Sequence, residues 1–233
     1  MRKVIILLLC LLFARLAAAQ MDITASVGYG YFDMRNMKIF QEQLRSEFPV
    51  NAEVTSSFPP FWNFECSFTN VTRGLVTGGA INYTSTGGRI YYSDYSGMLS
   101  IDKLLSHVGI SGIIGGKINI NHEKYLLLAQ LRPSLLMTTF TIKSDQSVGG
   151  QSENESYKFT SLGLSLQPTF SITRKFGNFG LQALAGYNLN VLQGKLYLED
   201  GDEAYITMDD EKPLKADWSG FRVSFGINYQ VSR

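Results

Sequence analysis

Residues 220–231 read GFRVSFGINYQV. Phe221, Val223, Phe225, Ile227, Tyr229 and Val231 are large and apolar. Arg222, Ser224, Gly226, Asn228 and Gln230, between them, are small or polar. Strict alternation over this length specifies an extended strand with two unlike faces. In a soluble sheet the greasy face would meet a protein core. In a membrane barrel it would meet lipid. The rest of the chain decides between the two.

Seven further segments repeat the pattern, at roughly 22–32, 60–70, 74–85, 103–120, 125–143, 157–173 and 179–192. In the first, Ile23, Ala25, Val27, Tyr29 and Tyr31 oppose Thr24, Ser26, Gly28 and Gly30. In the second, Trp62, Phe64, Cys66 and Phe68 oppose Asn63, Glu65 and Ser67. The connections 70–74, 121–124 and 174–178 are tight, whereas 33–59, 86–102, 144–156 and 193–216 are long. Short turns alternating with long loops mark an up-and-down barrel of eight antiparallel strands across a membrane. The polar faces carry Gly, Ser, Thr, Asn and Gln with few charges, which suits a crowded lumen better than a water-exposed surface. Aromatic residues gather near strand ends. Tyr125, Phe179 and Tyr229 lie on the turn side, with Tyr29, Tyr31, Trp62 and Tyr83 on the loop side, as in two interfacial girdles.

The N-terminus agrees with export. Arg2 and Lys3 precede the apolar run VIILLLCLLFA and an Ala-rich end, the layout of a secretory signal peptide over 1–19, leaving a barrel domain over 20–233. Loss of Arg2, Lys3 and Arg15 takes the net charge from +1 to −2, which offers no basic footprint for nucleic acid. Cys66 is then the one remaining cysteine, so no internal disulfide forms. No later segment holds enough consecutive apolar residues to cross a bilayer as a helix, so any span is made of strands.

Three charges fall on the polar face: Glu65, Arg132 and Arg222. Counted from the turn side, Glu65 and Arg132 share a depth and Arg222 lies a little higher. A charge in a narrow low-dielectric lumen must be paired. The expectation is a Glu65–Arg132–Arg222 network filling the barrel, with Gln130, Gln182 and Asn228 as partners and with His107 and Lys117 on the same lumen face. A gated polar path is the alternative use of these groups. The sequence holds two histidines, His107 and His122, and no Ser–His–acid grouping can be fixed from it, so no enzyme is expected.

The long loops differ. Met37, Phe40, Leu44 and Phe48 recur at helical spacing in MKIFQEQLRSEF, a short amphipathic helix ended by Pro49. It could cap the mouth, lie on the membrane or pack on its own loops. RIYYSDYSG carries Tyr91, Tyr92 and Tyr95. The 144–156 region is polar and Gly/Ser-rich. The last loop crowds Glu199, Asp200, Asp202, Glu203, Asp209, Asp210 and Glu211 around a possible hairpin turning at 200–203. It lacks Ca²⁺-loop spacing and reads as a solvated acidic loop, so neither metal nor cofactor is expected.

The signal peptide, the eight alternating segments, the loop rhythm and the GFRVSFGINYQV end together resemble the small outer-membrane β-barrel proteins. They look like eight-stranded OmpA/OmpX-type barrels, and especially like the outer-membrane β-barrel domain proteins of Bacteroidota. That resemblance implies a place in the outer membrane of a Gram-negative cell, contact with its lipids and lipopolysaccharide, and insertion by the barrel-assembly machinery. It implies a non-enzymatic role, structural or exercised through the external loops on an unknown surface ligand. A small pore or an OmpW-like path for hydrophobic molecules is the rival, and a lipid-modifying enzyme comes third. The family's last strand usually ends on an aromatic, whereas here Tyr229 is followed by QVSR.

Overall fold

The structure, a computed structural model, describes residues 21–48, 52–95, 97–118, 124–148, 151–199, 204–208 and 211–231. The signal peptide, Pro49, His122 and the 200–203 turn lie outside the described residues. Among the described residues ten strands and one helix follow in chain order: β1 Met21–Phe32, α1 Arg35–Ser46, β2 Glu53–Ser57, β3 Phe61–Thr72, β4 Leu75–Ser93, β5 Gly97–Ile118, β6 Tyr125–Val148, β7 Gln151–Phe176, β8 Phe179–Gln193, β9 Tyr197–Leu198 and β10 Gly220–Val231.

Eight of the strands close into a ring, β1-β3-β4-β5-β6-β7-β8-β10 and back to β1. Every neighbouring pair in it is antiparallel. The closing seam is the stretch that opens the sequence argument. Along it, β10 pairs with β1 from Met21↔Val231 to Phe32↔Gly220 on one side and with β8 on the other. No edge of that strand is left open, as lipid requires of a spanning sheet. The eight expected strands and the helix in the first long loop are all present.

The faces sort as a transmembrane barrel demands. Phe225 is 66% exposed and Trp62 63% exposed, on an outward belt with Phe64, Ile81, Ile110, Phe170 and Leu181. In water such a belt would be an aggregation surface; in hydrocarbon it is the correct exterior. Tyr31, Phe221 and Tyr187 stand side by side at the loop end of the belt through the registers of β1, β10 and β8. Phe179 and Tyr229 pack at the turn end with ring centroids 5.1 Å apart. The eight residue steps from Phe179 to Tyr187 span about 27 Å along the strand. At a tilt of ~40° that is about 21 Å of height, near the ~25 Å apolar band of outer-membrane barrels. Tyr29 and Trp62 meet edge to face at 5.8 Å, and Tyr83 is exposed on the same side. Tyr125 differs from the other girdle residues, being half-buried beneath the Arg174 guanidinium, 5.9 Å from its ring centroid.

Two expected long loops are instead strand. β4 and β5 run on to Ser93 and Gly97, and β6 and β7 to Val148 and Gln151, so both hairpins project past the barrel. Out there each strand needs only its backbone partner, so the apolar-out pattern lapses although pairing continues. The Gly/Ser-rich 144–156 region is thus mostly paired strand. On the turn side the chain reverses tightly at Arg73–Gly74, where φ is +52° and +86°. Two positive values match the type I′ geometry that suits the twist of a hairpin, and Gly supplies the second at no steric cost.

Lys103 points inward from β5 opposite Gly88 and is 1% exposed. Its Nζ has no hydrogen-bond partner among the described residues. An unpaired buried ammonium is a cost to the fold. Lys103→Met is therefore expected to stabilise the protein by roughly 1–3 kcal/mol, read as a higher midpoint in thermal unfolding of detergent-solubilised protein. A lower midpoint would show that the ammonium is held by a partner.

Candidate functional site

The lumen is layered. At mid-height Glu65 of β3, Arg132 of β6 and Arg222 of β10 converge. Arg132 Nη1 donates to Glu65 Oε1 at 2.7 Å and Arg222 Nη2 to Glu65 Oε2 at 2.8 Å. All three side chains are 5% exposed or less. Period 2 turns each of them inward. Depth does the rest: Glu65 and Arg132 each lie seven residues from the turn-side end of their strands, and Arg222 nine. Arg132 Nε and Nη2 also donate to Gln130 Oε1, at 3.1 and 2.9 Å. Two guanidiniums thus share one carboxylate, and the layer carries one net positive charge.

The expected partners Gln182 and Asn228 are elsewhere. Gln182 donates to Thr173 Oγ1 at 3.3 Å and Asn228 to Thr24 Oγ1 at 3.0 Å. Each lies three residues from the turn-side end of its strand, too low to reach Glu65. Lys117 is on the lumen side by register but exposed at the turn-side rim, so it stands apart from the buried network. Water solvates it there, so it needs no partner. His107 is buried. Its Nε2 lies 3.1 Å from Asn82 Oδ1, and its ring packs 4.3 Å from the Trp218 indole.

Apolar layers lie above and below the charges. Toward the turns, Val76, Ala80, Ile113, Leu126 and Leu128 form one buried cluster on the lumen face. At the loop end Phe32, Met34, Met37, Phe61, Leu105, Phe140, Leu196, Leu214 and Trp218 form a larger one. Trp218 is its hub: Phe32 lies 5.7 Å and Phe61 5.8 Å away, both edge-on. Its Nε1 donates to Thr138 Oγ1 at 3.1 Å, and its backbone oxygen accepts from Asn188 Nδ2 at 2.8 Å.

Sequence reasoning missed both layers. Leu126, Leu128 and Ile113 break the polar lumen face at its turn end, and that lapse in alternation was the available signal. Leu196 and Leu214 lie in the loop read as solvated and acidic, and Trp218 lies between that loop and the last strand. The segment between β8 and β10 instead doubles back on itself, with Leu198 N bonded to Ala204 O and Leu214 N to Ile206 O, and inserts its apolar residues into the mouth. Of its carboxylates, Glu199 is paired with Lys158 at 2.8 Å. Asp200, Asp202, Glu203, Asp209 and Asp210 lie outside the described residues. Among the described residues no group of three or more His, Cys, Asp and Glu side chains is placed to hold a metal.

Helix α1 lies over this plug. Met37 is buried in the mouth cluster, and Phe40 packs against it. Leu44 and Phe48 reach a separate cluster of Ala52, Ile90 and Ile101 under the β4–β5 extension. Gln41, fully buried, donates to Ser56 O at 2.7 Å and to Arg89 O at 3.3 Å. The helix therefore packs on its own loops and caps the mouth at once. Beyond it, at the outer surface, Arg35, Ile39 and Gln43 of α1 face Met208, Lys212 and Lys215 across a cleft of about 660 Å³.

No protein-family model matches the chain, and no curated protein matches its sequence. Solved structures similar to it include Neisserial surface protein A, at 14% identity and a TM-score of 0.40, with 91% of this chain and 97% of that one covered. Another is Ail, the attachment invasion locus protein of Yersinia pestis, at 14% identity, the same coverage and a TM-score of 0.37. A second Ail structure, in complex with the heparin analogue sucrose octasulfate, is similar at 14% identity, the same coverage and a TM-score of 0.35. The assignment of this chain as an eight-stranded transmembrane barrel rests on its own closed ring of paired strands and its outward apolar belt.

Proposed function

We propose that the chain is an outer-membrane barrel that neither conducts nor catalyses, and that it acts through the surface its loops build outside the cell. The carrying observation is the layering of the lumen. An ion-paired layer at Glu65 lies between two apolar clusters, so a solute would have to displace Trp218 and its neighbours, break buried ion pairs, then pass Leu126 and Leu128. Eight strands leave an interior that side chains can just fill. This favours a filled barrel over the pore or hydrophobic-passage role. His107 supports the non-enzymatic part, for it meets an amide oxygen and an indole, the surroundings of a packed filler. In the proposed setting the leader directs export, and the assembly machinery, lipids and lipopolysaccharide of the outer membrane are the partners.

Purified native protein in planar bilayers is expected to show no stable open level. A large, steady ohmic conductance would overturn the reading in favour of a pore, and uptake of small solutes into proteoliposomes would do the same.

A further inference from the structure

The outer apolar belt is not level around the ring. On β4 it ends at Tyr83, and the next outward positions are Ser85, Gly87 and the ion-paired Arg89. On β8, across the ring from β4, it runs on past Tyr187. Leu189, Val191 and Leu192 are all exposed there, Val191 at 64% and Leu192 at 59%. Leu162 and Leu164 of β7 are exposed beside them, with Leu164 directly opposite Leu192. A register shift lets two consecutive residues face the same way. Leu164 pairs with Leu192 and Ser165 with Asn190, which leaves Val191 as the extra residue of a bulge.

The wall this makes is tall. The five steps from Tyr187 to Leu192 add about 17 Å along the strand. At a tilt of ~40° that is about 13 Å of height, or ~34 Å in all from Phe179, against an apolar band of ~25 Å. In water, five large apolar side chains in one patch would be a liability. No polar residue breaks the outward face of β8 between Phe179 and Val191, so the patch continues the lipid-facing belt.

Above the wall the chain keeps two faces. Leu196 and Leu214 are fully buried in the mouth, with Ile206 packed against their cluster. Tyr197 pairs with Thr160 of β7 and with Tyr205, which puts both tyrosines on the outward side. Their exposed rings meet edge to face at 6.0 Å, and Lys195 Nζ lies 4.1 Å from the Tyr205 centroid. Tyrosines with a lysine beside them are the residues of a membrane interface, where a ring sits at headgroup level and an ammonium reaches out of apolar surroundings.

We infer that lipid acyl chains cover the β7–β8 wall up to Leu192, and that the Tyr197–Tyr205 pair sits in the headgroup layer above it. A bilayer meets a wall taller than its core by thickening there or by letting the protein lean. Only the spanning barrel is needed for this, not a sealed lumen. The hairpin that begins the mouth cover is then held on both sides, by its buried residues within and by lipid without. On the surface-interaction reading, an external ligand is left the β4–β5 and β6–β7 extensions.

The chain from Gln20 onward holds one cysteine, Cys66. In a Cys66→Ala background, Val191→Cys, Leu162→Cys and Tyr197→Cys are each labelled with a nitroxide and placed in nanodiscs of dioleoyl phosphatidylcholine. Phe225→Cys is the reference for lipid and Tyr95→Cys, at a fully exposed hairpin tip, the reference for water. Spin relaxation by oxygen, which enters hydrocarbon, is compared with relaxation by a polar nickel chelate, which does not. The oxygen-to-nickel ratio at Val191 and Leu162 is expected to match Phe225 within about twofold and to exceed Tyr95 by at least about tenfold, the scale of excluding a polar solute from an apolar medium. Tyr197 should fall between the two references. A ratio at Val191 and Leu162 equal to that of Tyr95 would overturn the inference, since the wall would stand in water. Loss of access to both reagents would overturn it too, since a protein, a second copy included, would be covering the wall. A Tyr197 ratio equal to that of Tyr95 would overturn the seating of the hairpin. Far-UV circular dichroism checks that each labelled variant keeps its barrel. Conductance is measured separately, so a conducting protein with a lipid-covered wall would overturn the sealed-barrel reading alone.

Discussion

Glu65→Ala is expected to destabilise the barrel by about 3–5 kcal/mol, the loss typical of removing one partner from a buried ion pair. The figure belongs at the high end because two guanidiniums depend on the one carboxylate. Without it Arg222 loses its ion pair, Arg132 keeps only Gln130, and two like charges face each other in a closed layer. On the filled-barrel reading proposed above, the apolar clusters above and below the layer keep water from replacing the lost carboxylate. Denaturant unfolding in micelles, or the temperature at which the folded band is lost on an unboiled gel, would read the change. The control is the triple variant Glu65→Met, Arg132→Met, Arg222→Met. Replacing a whole buried ionic group by apolar residues of similar size is often neutral or stabilising, so the triple variant should recover most of what Glu65→Ala loses. If Glu65→Ala unfolds within about 1 kcal/mol of the native protein, the layer is hydrated and the picture of a dry ion-paired plug is wrong.

The ion-paired layer was legible in the sequence for a definite reason. In a strand the face of a residue follows from parity, and its height follows from the count to the nearest tight turn. Those two numbers place Glu65 and Arg132 level and Arg222 two residues higher without any tertiary knowledge. The same rule, applied to Gln182 and Asn228, would have placed both about four residues nearer the turns than Glu65. At ~3.4 Å per residue that is more than ten ångströms along the strand, beyond the reach of either amide. The loop end obeys no such rule. Phe32, Phe61, Phe140, Leu196 and Trp218 come together because the ring closes and brings distant connections over one mouth. No period links them along the chain. The paired extensions were hidden likewise, since the apolar-out pattern that betrays a spanning strand stops where lipid stops, and the hydrogen bonds do not.

Trp218→Ala is expected to open that mouth. Truncating a large buried aromatic costs about 3–5 kcal/mol, and here it also leaves the Thr138 hydroxyl without its indole donor and removes the ring packed on His107. The loss should fall unevenly. The strand ring is held by its own closed ladder of hydrogen bonds, whereas residues 211–219 are held down largely by Leu214, Ala216 and Trp218. Local opening of that segment should therefore rise far more than global unfolding. Two measurements separate these effects. Limited proteolysis should cut the variant between β8 and β10 at protease levels that leave the native chain intact. The thermal midpoint of the barrel itself should fall by less than it does in Glu65→Ala. Trp218→Phe keeps most of the packing and gives up only the bond to Thr138, a loss of about 1 kcal/mol; it should stay resistant. A stable open level is still not expected from Trp218→Ala, because the Glu65 layer and the Leu126–Leu128 cluster remain below. Pairing Trp218→Ala with Leu128→Ala and Glu65→Ala should bring conductance, if the three layers in series are what closes the barrel. A variant with all three layers removed that folds and still passes no current would mean that something other than these layers closes the lumen.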